Sequence, residues 1–364
     1  MIFRVAVISR ARYEKKLFFS HTLFPLIYWK NKIAGCGIKI FFYNNLSTAA
    51  DADAALLVDY FLQSEITDGT VCAVLKSVRK KFNRVYYFDT TDSCGTADFE
   101  IIPYVDKYFK KQLYRDRSLY FRPVYGLRTF CEYYYEKFGI KNSLEETRAP
   151  LKFEYADRLS LAWNIGLADY TGSCRLLNTA NRFLGMPVKK YFQVFNNMHP
   201  VRPFKSRTVD IQARFGMNYI LECIGWSRKK MQDIALKMEN RFIVRSRGRI
   251  NKKKFIQELA DTKTALSPFG YGEICFRDFE IFLNGALLIK PDMSHLETWP
   301  DYYLPGITYL PCNWNFSNLQ EILENALARD ISNTAVEGRN RFLAALTDQG
   351  GEKFAERFIG LVRD

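Results

Sequence analysis

The chain has 364 residues, 48% of them hydrophobic and 25% charged, which is the balance of an ordinary soluble globular protein. This length favours two domains over one, and no apolar stretch reaches the ~20 residues of a membrane-spanning helix, so any membrane contact is expected to be peripheral. The formal net charge of +14 predicts an anionic partner, which could be nucleic acid, an anionic membrane surface or a phosphorylated substrate.

The first half alternates strand-like and amphipathic segments. The predicted strands are 3–8, 37–43, 85–88 and 104–109, and the apolar segment 54–60 fits either a strand or a helix. Such alternation predicts parallel strands joined by helical crossovers. Residues 108–135 are aromatic and basic with weak periodicity, which suggests an acceptor-side insertion, and 145–151 are predicted to form a polar loop.

The second half begins after a predicted boundary at 196–206, where turn-forming residues and two prolines concentrate. The elements predicted beyond it are strand 208–215, helix 227–238, strand 242–246, helix 252–261, strands 264–267, 286–290 and 307–310, helix 318–327, and further helices from 333. This alternation is that of a doubly wound α/β domain. We therefore predict domains 1–200 and 201–345, followed by an amphipathic helix in the tail 346–364.

One segment of the second half has the pattern strand, glycine turn, helix, strand. Gly270 and Gly272 would let the backbone approach a ligand, and a helix starting near Glu273 would direct free N–H groups at an anion. Arg277, one turn in, could bind a diphosphate with two hydrogen bonds, and Glu280 could accept hydrogen bonds from ribose hydroxyls. The alternative is a turn and helix that only pack the domain, with Arg277 and Glu280 as a solvated pair.

The glycine turn, the Arg277-x-x-Glu280 pair and the step Asn284-Gly285-Ala286 resemble the donor-binding half of GT-B glycosyltransferases, especially bacterial surface-polysaccharide enzymes and the exostosin-like group. The resemblance covers roughly 207–314. It extends only loosely to the first half, through Leu161-Ala-Trp-Asn-Ile-Gly166 and Asp89-Thr-Thr-Asp92.

That resemblance implies two Rossmann-like domains facing each other across a cleft, a nucleotide-sugar donor, and independence of metal ions. It also implies that the tail helix packs back on the first domain. Many retaining members carry two glutamates separated by seven residues, whereas Glu273 and Glu280 are separated by six. The stereochemistry is therefore not carried over, although a base in the first domain would favour inversion.

The donor site is predicted to stabilise the diphosphate with positive charge. Its candidate residues are Gly270, Tyr271, Gly272, Glu273, Arg277, Glu280, Arg214, Arg245, Asp292 and His295. Arg214 and Arg245 lie near strand ends, where arginines also commonly form surface pairs. Asp292 and His295 follow a strand and would reach the crevice edge, but His295 fits a structural histidine equally well.

The candidate catalytic bases are Asp89 and Asp92, which follow a predicted strand of the first domain. Two carboxylates three residues apart can raise the pKa of one of them. The competing interpretation is that both residues only cap a tight turn. Asn164 is predicted to line the crevice between the domains through its amide.

Cysteine and histidine usage gives no sign of a metal site. The eight cysteines include no Cys-x-x-Cys pair, and the chain has only three histidines, so neither zinc nor iron–sulfur chemistry is indicated. We expect reduced, mostly buried thiols in a cytoplasmic protein and no cofactor beyond the sugar nucleotide. The N-terminus enters a strand-like run containing an arginine, which does not resemble a secretory signal.

Together these features predict a glycosyltransferase that moves a sugar to a glycan or lipid-linked acceptor in polysaccharide or lipopolysaccharide assembly, peripheral on the inner face of the cytoplasmic membrane, with no nucleic-acid partner. One alternative is a basic nucleic-acid-binding or interaction protein, which the charge and the aromatic content favour. Another is a different Rossmann-like sugar-nucleotide enzyme. A dinucleotide enzyme would carry Gly-x-Gly-x-x-Gly after its first strand, and Ile8-Ser-Arg-Ala-Arg12 has no glycine there.

Overall fold

The computed structural model describes residues 2–9, 21–58, 70–170, 201–329 and 331–363. Within these ranges the chain forms two α/β domains, each built on a parallel sheet. The prediction of an α/β chain with two Rossmann-like domains is thereby confirmed. The first residues of the predicted boundary, 196–200, lie outside the described residues.

The first sheet contains six strands, and every neighbouring pair is parallel. Its strands are β1 (Phe3–Ser9), β2 (Ile38–Tyr43), β3 (Ala54–Val58), β4 (Arg84–Asp89), β5 (Lys107–Lys110) and β7 (Leu159–Leu161), while β6 (Gln112–Tyr114) lies outside it. Their order is β2-β1-β3-β4-β5-β7. The ambiguous segment 54–60 provides strand β3, whose five apolar residues are all buried, as expected of a strand covered on both faces.

The second sheet contains five strands, also all parallel. They are β8 (Val209–Gln212), β9 (Val244–Arg245), β10 (Thr262–Leu266), β11 (Leu287–Pro291) and β13 (Leu310–Cys312). The order β13-β11-β10-β8-β9 is that of a doubly wound sheet, in which the chain first moves one way from β8 and then the other. Strand β12 (Leu296–Thr298) instead pairs antiparallel with β6, which joins the two domains.

The helices of the described ranges cover both sheets. They are α1 (Phe24–Tyr28), α2 (Lys30–Gly35), α3 (Val71–Lys81), α4 (Thr129–Phe138), α5 (Glu222–Leu236), α6 (Lys252–Ala260), α7 (Phe276–Leu283), α8 (Leu319–Ala328), α9 (Ser332–Ala344) and α10 (Asp348–Arg363). Short 3₁₀ turns occur at Phe99–Tyr104, Arg117–Phe121, Tyr125–Leu127, Phe153–Arg158 and Phe204–Ser206. None of these helices is both long enough and apolar enough to cross a bilayer.

The last helix packs on the first domain. The hydroxyl of Tyr86 in β4 donates to the carbonyl of Val362 at 2.7 Å, and Phe354 lies 5.2 Å from Trp163 and 5.3 Å from Trp29 between ring centroids. All three aromatic partners are buried. Because one buried apolar cluster contains residues of both domains, the two domains are packed together and not merely linked.

One sequence expectation about the cysteines is wrong. Cys131 in α4 and Cys223 in α5 form a disulfide between segments 92 residues apart. No sequence pattern predicts this disulfide, because the two residues have no motif spacing and are brought together only by the packing of α4 on the second domain. Five other cysteines are free, and Cys174 lies outside the described residues.

Candidate functional site

The carboxyl ends of β8 and β10 mark the point where the second sheet reverses its winding. In doubly wound sheets the loops that leave such a point separate to opposite faces and open a crevice in which ligands bind. Here those loops are residues 213–220 and 267–275. The predicted glycine turn therefore lies at the position that topology favours for a ligand.

The glycine turn is in contact with the first domain. A Cβ atom on Gly272 would lie 1.9 Å from the Asp92 carbonyl oxygen, so only glycine fits there. At Gly270 a Cβ would lie 3.2 Å from Nη2 of Arg228, which leaves nearly enough room. Gly272 is thus required by the contact between the domains, whereas Gly270 faces a cation.

Glu273 lies before the helix and is fully buried between the domains. Its carboxylate accepts hydrogen bonds from Ser93 Oγ at 2.7 Å, from the Cys94 amide at 3.2 Å and from Gln112 Nε2 at 3.4 Å. Helix α7 begins three residues later than its predicted start. Glu273 therefore holds the first domain against the turn instead of opening an anion-binding helix.

The start of α7 is already capped from within the domain. The Asp278 carboxylate accepts from the Cys275 amide at 3.0 Å, which completes a capping box. Asp278 is itself buried and lies 3.2 Å from Nζ of Lys290. A ligand would consequently meet the turn before the helix, and not the helix terminus itself.

Arg277 is not available to a diphosphate in this structure. Its guanidinium donates to the carbonyls of Leu266 and Arg214, each at 2.6 Å, and to Gln212 Oε1 at 2.8 Å. Burial lowers its pKa to about 10, so it stays charged at neutral pH. Arg277 therefore connects the ends of β8 and β10 through hydrogen bonds. This is a structural role and not the predicted ligand contact.

The other charged candidates near the strand ends differ in whether their side chains have an ionic partner. Glu280 forms an ion pair with Lys252 of α6, and Arg214 Nε lies 2.8 Å from Glu258 Oε1. Arg245 is exposed, and its side chain has no partner within the described ranges. Of these three candidates, only Arg245 presents an unpaired charge to solvent.

The three other donor-side candidates, Tyr271, Asp292 and His295, have separate surroundings. Tyr271 is 39% exposed, and its carbonyl accepts from Arg128 Nε at 2.7 Å. Asp292 accepts from the Ser294 hydroxyl. His295 packs 4.9 Å from Trp314 between ring centroids, and neither of its ring nitrogens has a hydrogen-bond partner among the described residues; burial lowers its pKa.

Asp89 is a buried structural carboxylate. It is 1% exposed, pairs with Lys110 Nζ at 2.8 Å and accepts from the Tyr108 hydroxyl at 2.7 Å. Burial alone would raise the pKa of Asp89, but Lys110 and the hydrogen bonds from Lys110, Thr91 and Tyr108 lower it overall. With no access to solvent, Asp89 cannot reach a substrate hydroxyl.

Asp92 has the opposite placement. Its side chain is 62% exposed, and its Oδ1 lies 3.3 Å from Nζ of the nearly buried Lys111. Its backbone carbonyl is the one that touches Gly272. Of the two predicted bases, Asp92 is therefore the carboxylate that lies in the open beside the glycine turn.

Asn164 anchors the chain crossing between the domains. Its side-chain Nδ2 donates to the Pro300 carbonyl at 2.7 Å, and its side-chain Oδ1 accepts from the backbone N–H of Gly166 at 2.8 Å. Its backbone N–H donates to the Trp299 carbonyl at 2.7 Å. It is 1% exposed. Both polar atoms of its side-chain amide are hydrogen-bonded within the protein, and the amide does not line an open crevice.

Sequence reasoning missed two side chains at this junction. Arg228 in α5 donates to the carbonyls of Phe269 at 2.7 Å and Gly216 at 3.0 Å, while its Nη2 faces Gly270 without a hydrogen bond to a described residue. His21 stacks on Phe276 with ring centroids 4.4 Å apart. Arg228 lies in a basic helical run with no distinguishing spacing, so no signal in the sequence singled it out.

His21 is held neutral at the junction. Burial, followed by the positive charge of Lys111, lowers its pKa to about 4. Its ring also contacts that of Tyr170, whose centroid is 5.2 Å away, and the rings of Tyr170 and Phe276 lie 6.2 Å apart. Among the described residues, no cluster of three or more His, Cys, Asp or Glu side chains is arranged to hold a metal ion.

No protein-family model and no curated protein matches the sequence. Among solved structures, the chain is similar to an alpha-glucosyltransferase in complex with UDP and a 13-mer DNA containing an HMU base, with 8% identity, a TM-score of 0.45 and 100% of both chains covered. It is also similar to Anabaena HepE in complex with UDP, with 8% identity, a TM-score of 0.46 and coverage of 98% of this chain and 100% of the other. T4 phage beta-glucosyltransferase gives 11% identity, a TM-score of 0.43 and 99% of both chains. Likenesses this distant carry no inference about function.

Proposed function

We propose that the protein is a GT-B glycosyltransferase that moves a sugar from a nucleotide-diphosphate donor in the second domain to an acceptor hydroxyl in the first. One observation carries the proposal: the glycine turn at the winding reversal of the second sheet touches the backbone of Asp92, whose carboxylate is exposed. A donor cradle and a candidate base therefore share one junction. The loops that follow the carboxyl ends of β4 and β10 supply this arrangement.

The donor diphosphate would lie against the turn at Gly270. The unbonded Nη2 of Arg228 lies beside that turn, and Arg245 adds a second unpaired charge at the end of β9. A guanidinium in a water-poor site stabilises the negative charge that develops on a diphosphate leaving group. Positive side chains in this place support a reaction without a metal ion, which a chelator tests.

Asp92 would act as the base in an inverting transfer. An exposed carboxylate can accept the proton of an acceptor hydroxyl as that oxygen attacks the anomeric carbon and the nucleoside diphosphate leaves. Lys111 would keep the carboxylate oriented through its contact with Oδ1. The roles of Glu280 as a ribose contact and of Asp292 and His295 as parts of the crevice wall remain proposals.

For the acceptor we propose a glycan or lipid-linked sugar of polysaccharide or lipopolysaccharide assembly, reached in the cytoplasm at the inner face of the membrane. The net charge of +14 supports an anionic acceptor but does not separate a phosphorylated glycan from DNA. Duplex DNA therefore belongs among the acceptors to be tried, and the sequence-based expectation of no nucleic acid is not carried forward.

The test is a thermal-shift panel of UDP, GDP, ADP, dTDP and CMP on the wild type, Arg228→Lys and Lys229→Gln. Lys229 is an exposed cation of the same helix and serves as the control for charge. A ligand that binds only the folded state raises the melting temperature by mass action. We expect one nucleotide to stabilise the wild type and Lys229→Gln, and to lose most of that effect in Arg228→Lys. An equal response in all three proteins would exclude Arg228 from the donor site.

A further inference from the structure

A basic cavity, separate from the proposed donor site, lies at the amino edge of the second sheet. Its volume is about 180 Å³, and its wall includes three arginines (Arg202, Arg207 and Arg339) together with Ser332 and Asn340. None of its lining residues is acidic. Since β8, β10 and β11 all begin at this edge, the cavity is on the opposite side of the sheet from the proposed donor site.

Arg207 forms the fixed part of this wall. It is 3% exposed, and its guanidinium donates to the carbonyls of Arg202 at 3.1 Å, Thr262 at 2.7 Å and Asn284 at 3.0 Å. Burial lowers its pKa to about 10, which still leaves it charged at neutral pH. These three hydrogen bonds fix the guanidinium group, and solvent hardly reaches its positive charge.

Arg339 in α9 is the free part of the wall. Its Nε donates to the Leu283 carbonyl at 3.1 Å, but neither Nη atom has a hydrogen-bond partner among the described residues. The positive charges of Arg339 and Arg207 repel each other, and burial lowers the pKa of Arg339. The third arginine, Arg202, is already paired with Asp261 at 2.8 Å. Among the described residues, the carboxylate whose charge acts on Arg207 is that of Asp261, which is the one already paired with Arg202. An anion between the guanidinium groups of Arg207 and Arg339 would offset their mutual repulsion.

The backbone step Asn284-Gly285-Ala286 keeps the cavity open. Gly285 has a φ of +62°, and a Cβ there would lie 2.6 Å from Val201 Cγ1 and 3.1 Å from Arg207 Nη2. Any larger residue would therefore be strained and would press into the arginine wall. This sequence step has no role in the proposed donor site, but it has one here.

We propose that this cavity binds a single phosphate group through Arg207 and Arg339. Planar guanidinium groups match phosphate oxygens with paired hydrogen bonds, and the side-chain amide of Asn340 in the wall adds a donor. The phosphate could belong to a soluble phosphate ester or to a lipid headgroup, since both present the same group. The site does not depend on the proposed transferase activity.

The test measures the affinity for inorganic phosphate at constant ionic strength by thermal shift and by calorimetry. The variants are Arg339→Gln, Val336→Glu and, as the control, Arg329→Gln, which removes an exposed arginine near the start of α9. Val336 lines the cavity and is 53% exposed, so Val336→Glu adds a negative charge without removing buried packing. We expect saturable binding by the wild type and the control, and at least tenfold weaker binding by both cavity variants.

Other outcomes also decide the proposal. If Arg339→Gln does not fold, Val336→Glu gives the answer alone. An equal, non-saturating response of all proteins would show a general salt effect and overturn the site. Phosphate binding that is lost in Arg228→Lys but kept in Val336→Glu would place the anion at the donor junction and overturn it as well. Vesicles with phosphatidic acid extend the test: binding to them that Val336→Glu abolishes, without any response to soluble phosphate, would assign the phosphate to a lipid.

Discussion

At the scale of single residues, two aspartates three positions apart have different environments. Asp89 is enclosed with Lys110, whereas Asp92 is open to solvent beside the glycine turn. Asp89 is the last residue of β4 and Asp92 lies in the loop that follows, so only the burial at the end of the strand distinguishes their surroundings. Substitutions of these two residues therefore form a matched pair that distinguishes a structural role from a catalytic one.

Asp92→Asn should remove activity and leave stability unchanged. The amide cannot accept the acceptor's proton, so we expect kcat to fall by about 10²–10⁴-fold. Because the side chain is exposed and the amide oxygen of Asn can still accept from Lys111 Nζ, the melting temperature should stay close to that of the wild type and the affinity for the nucleotide should be unchanged. Steady-state kinetics together with nucleotide titration checks this, and a kcat within threefold of the wild type would exclude Asp92 as the base.

Asp89→Asn should instead lower the stability of the protein. It leaves the Lys110 ammonium buried without its carboxylate, and breaking a buried pair in this way costs about 3–5 kcal/mol of unfolding free energy. Chemical denaturation measures that loss. A variant as stable as the wild type would contradict the structural role assigned to Asp89.

His21 should make stability depend on pH. Its pKa is about 4 in the folded protein, against 6.5 as the ordinary value. Between these values the unfolded chain takes up a proton that the folded protein refuses, so acid favours unfolding. Relative to His21→Phe, which keeps the stacking and cannot titrate, the wild type should lose roughly 3 kcal/mol as the pH falls from about 6.5 to 4. Parallel stability curves for the two proteins would refute the neutral state of the partly buried His21.

At the scale of elements, the loop between β10 and α7 has two glycines with different reasons to be glycine. Gly272→Ala should cost up to about 3 kcal/mol, because the new methyl group would collide with the Asp92 backbone and separate the domains. Gly270→Ala should cost less than about 1 kcal/mol, since its nearest neighbour is the end of the Arg228 side chain. Thermal unfolding of both variants checks the order, and equal losses would show that the contact between the domains does not govern this loop.

The elements also show where sequence-based prediction succeeded. Local periodicity left open whether segment 54–60 is a strand and missed β7. The buried apolar run 5–8 of β1 and the glycine turn before an amphipathic helix do follow from it, so most strands of both sheets and the position of the turn were predictable. The contacts of Arg277 were not. Its spacing suits a ligand, and only the folded chain brings the carbonyls of Leu266 and Arg214 within its reach.

The same limit applies to the residues that sequence reasoning missed. Arg228 reaches the turn from helix α5, about forty residues earlier in the chain, and His21 reaches Phe276 across both domains. The disulfide between Cys131 and Cys223 has the same origin. Such contacts arise from tertiary packing between distant segments, and no local pattern encodes them.

At the scale of the whole molecule, loops that follow the carboxyl ends of β4 and β10 meet, and β6 with β12 and helix α10 connect the domains. This arrangement concentrates the open side chains of both domains at one junction. The proposed phosphate cavity lies at the far edge of the second sheet. The molecule thus has two separate basic regions, which the variants of Arg228 and Arg339 address independently.

The most direct measurement for the proposed activity is the release of nucleoside diphosphate from a panel of nucleotide sugars, with glycan, lipid-linked and duplex DNA acceptors, in the presence and absence of a chelator. We predict that one nucleotide sugar is consumed with one class of acceptor, and that the rate is unchanged by the chelator. A panel that shows no release with any donor and acceptor, while the protein binds DNA with a steep salt dependence, would contradict the transferase and favour a nucleic-acid-binding protein.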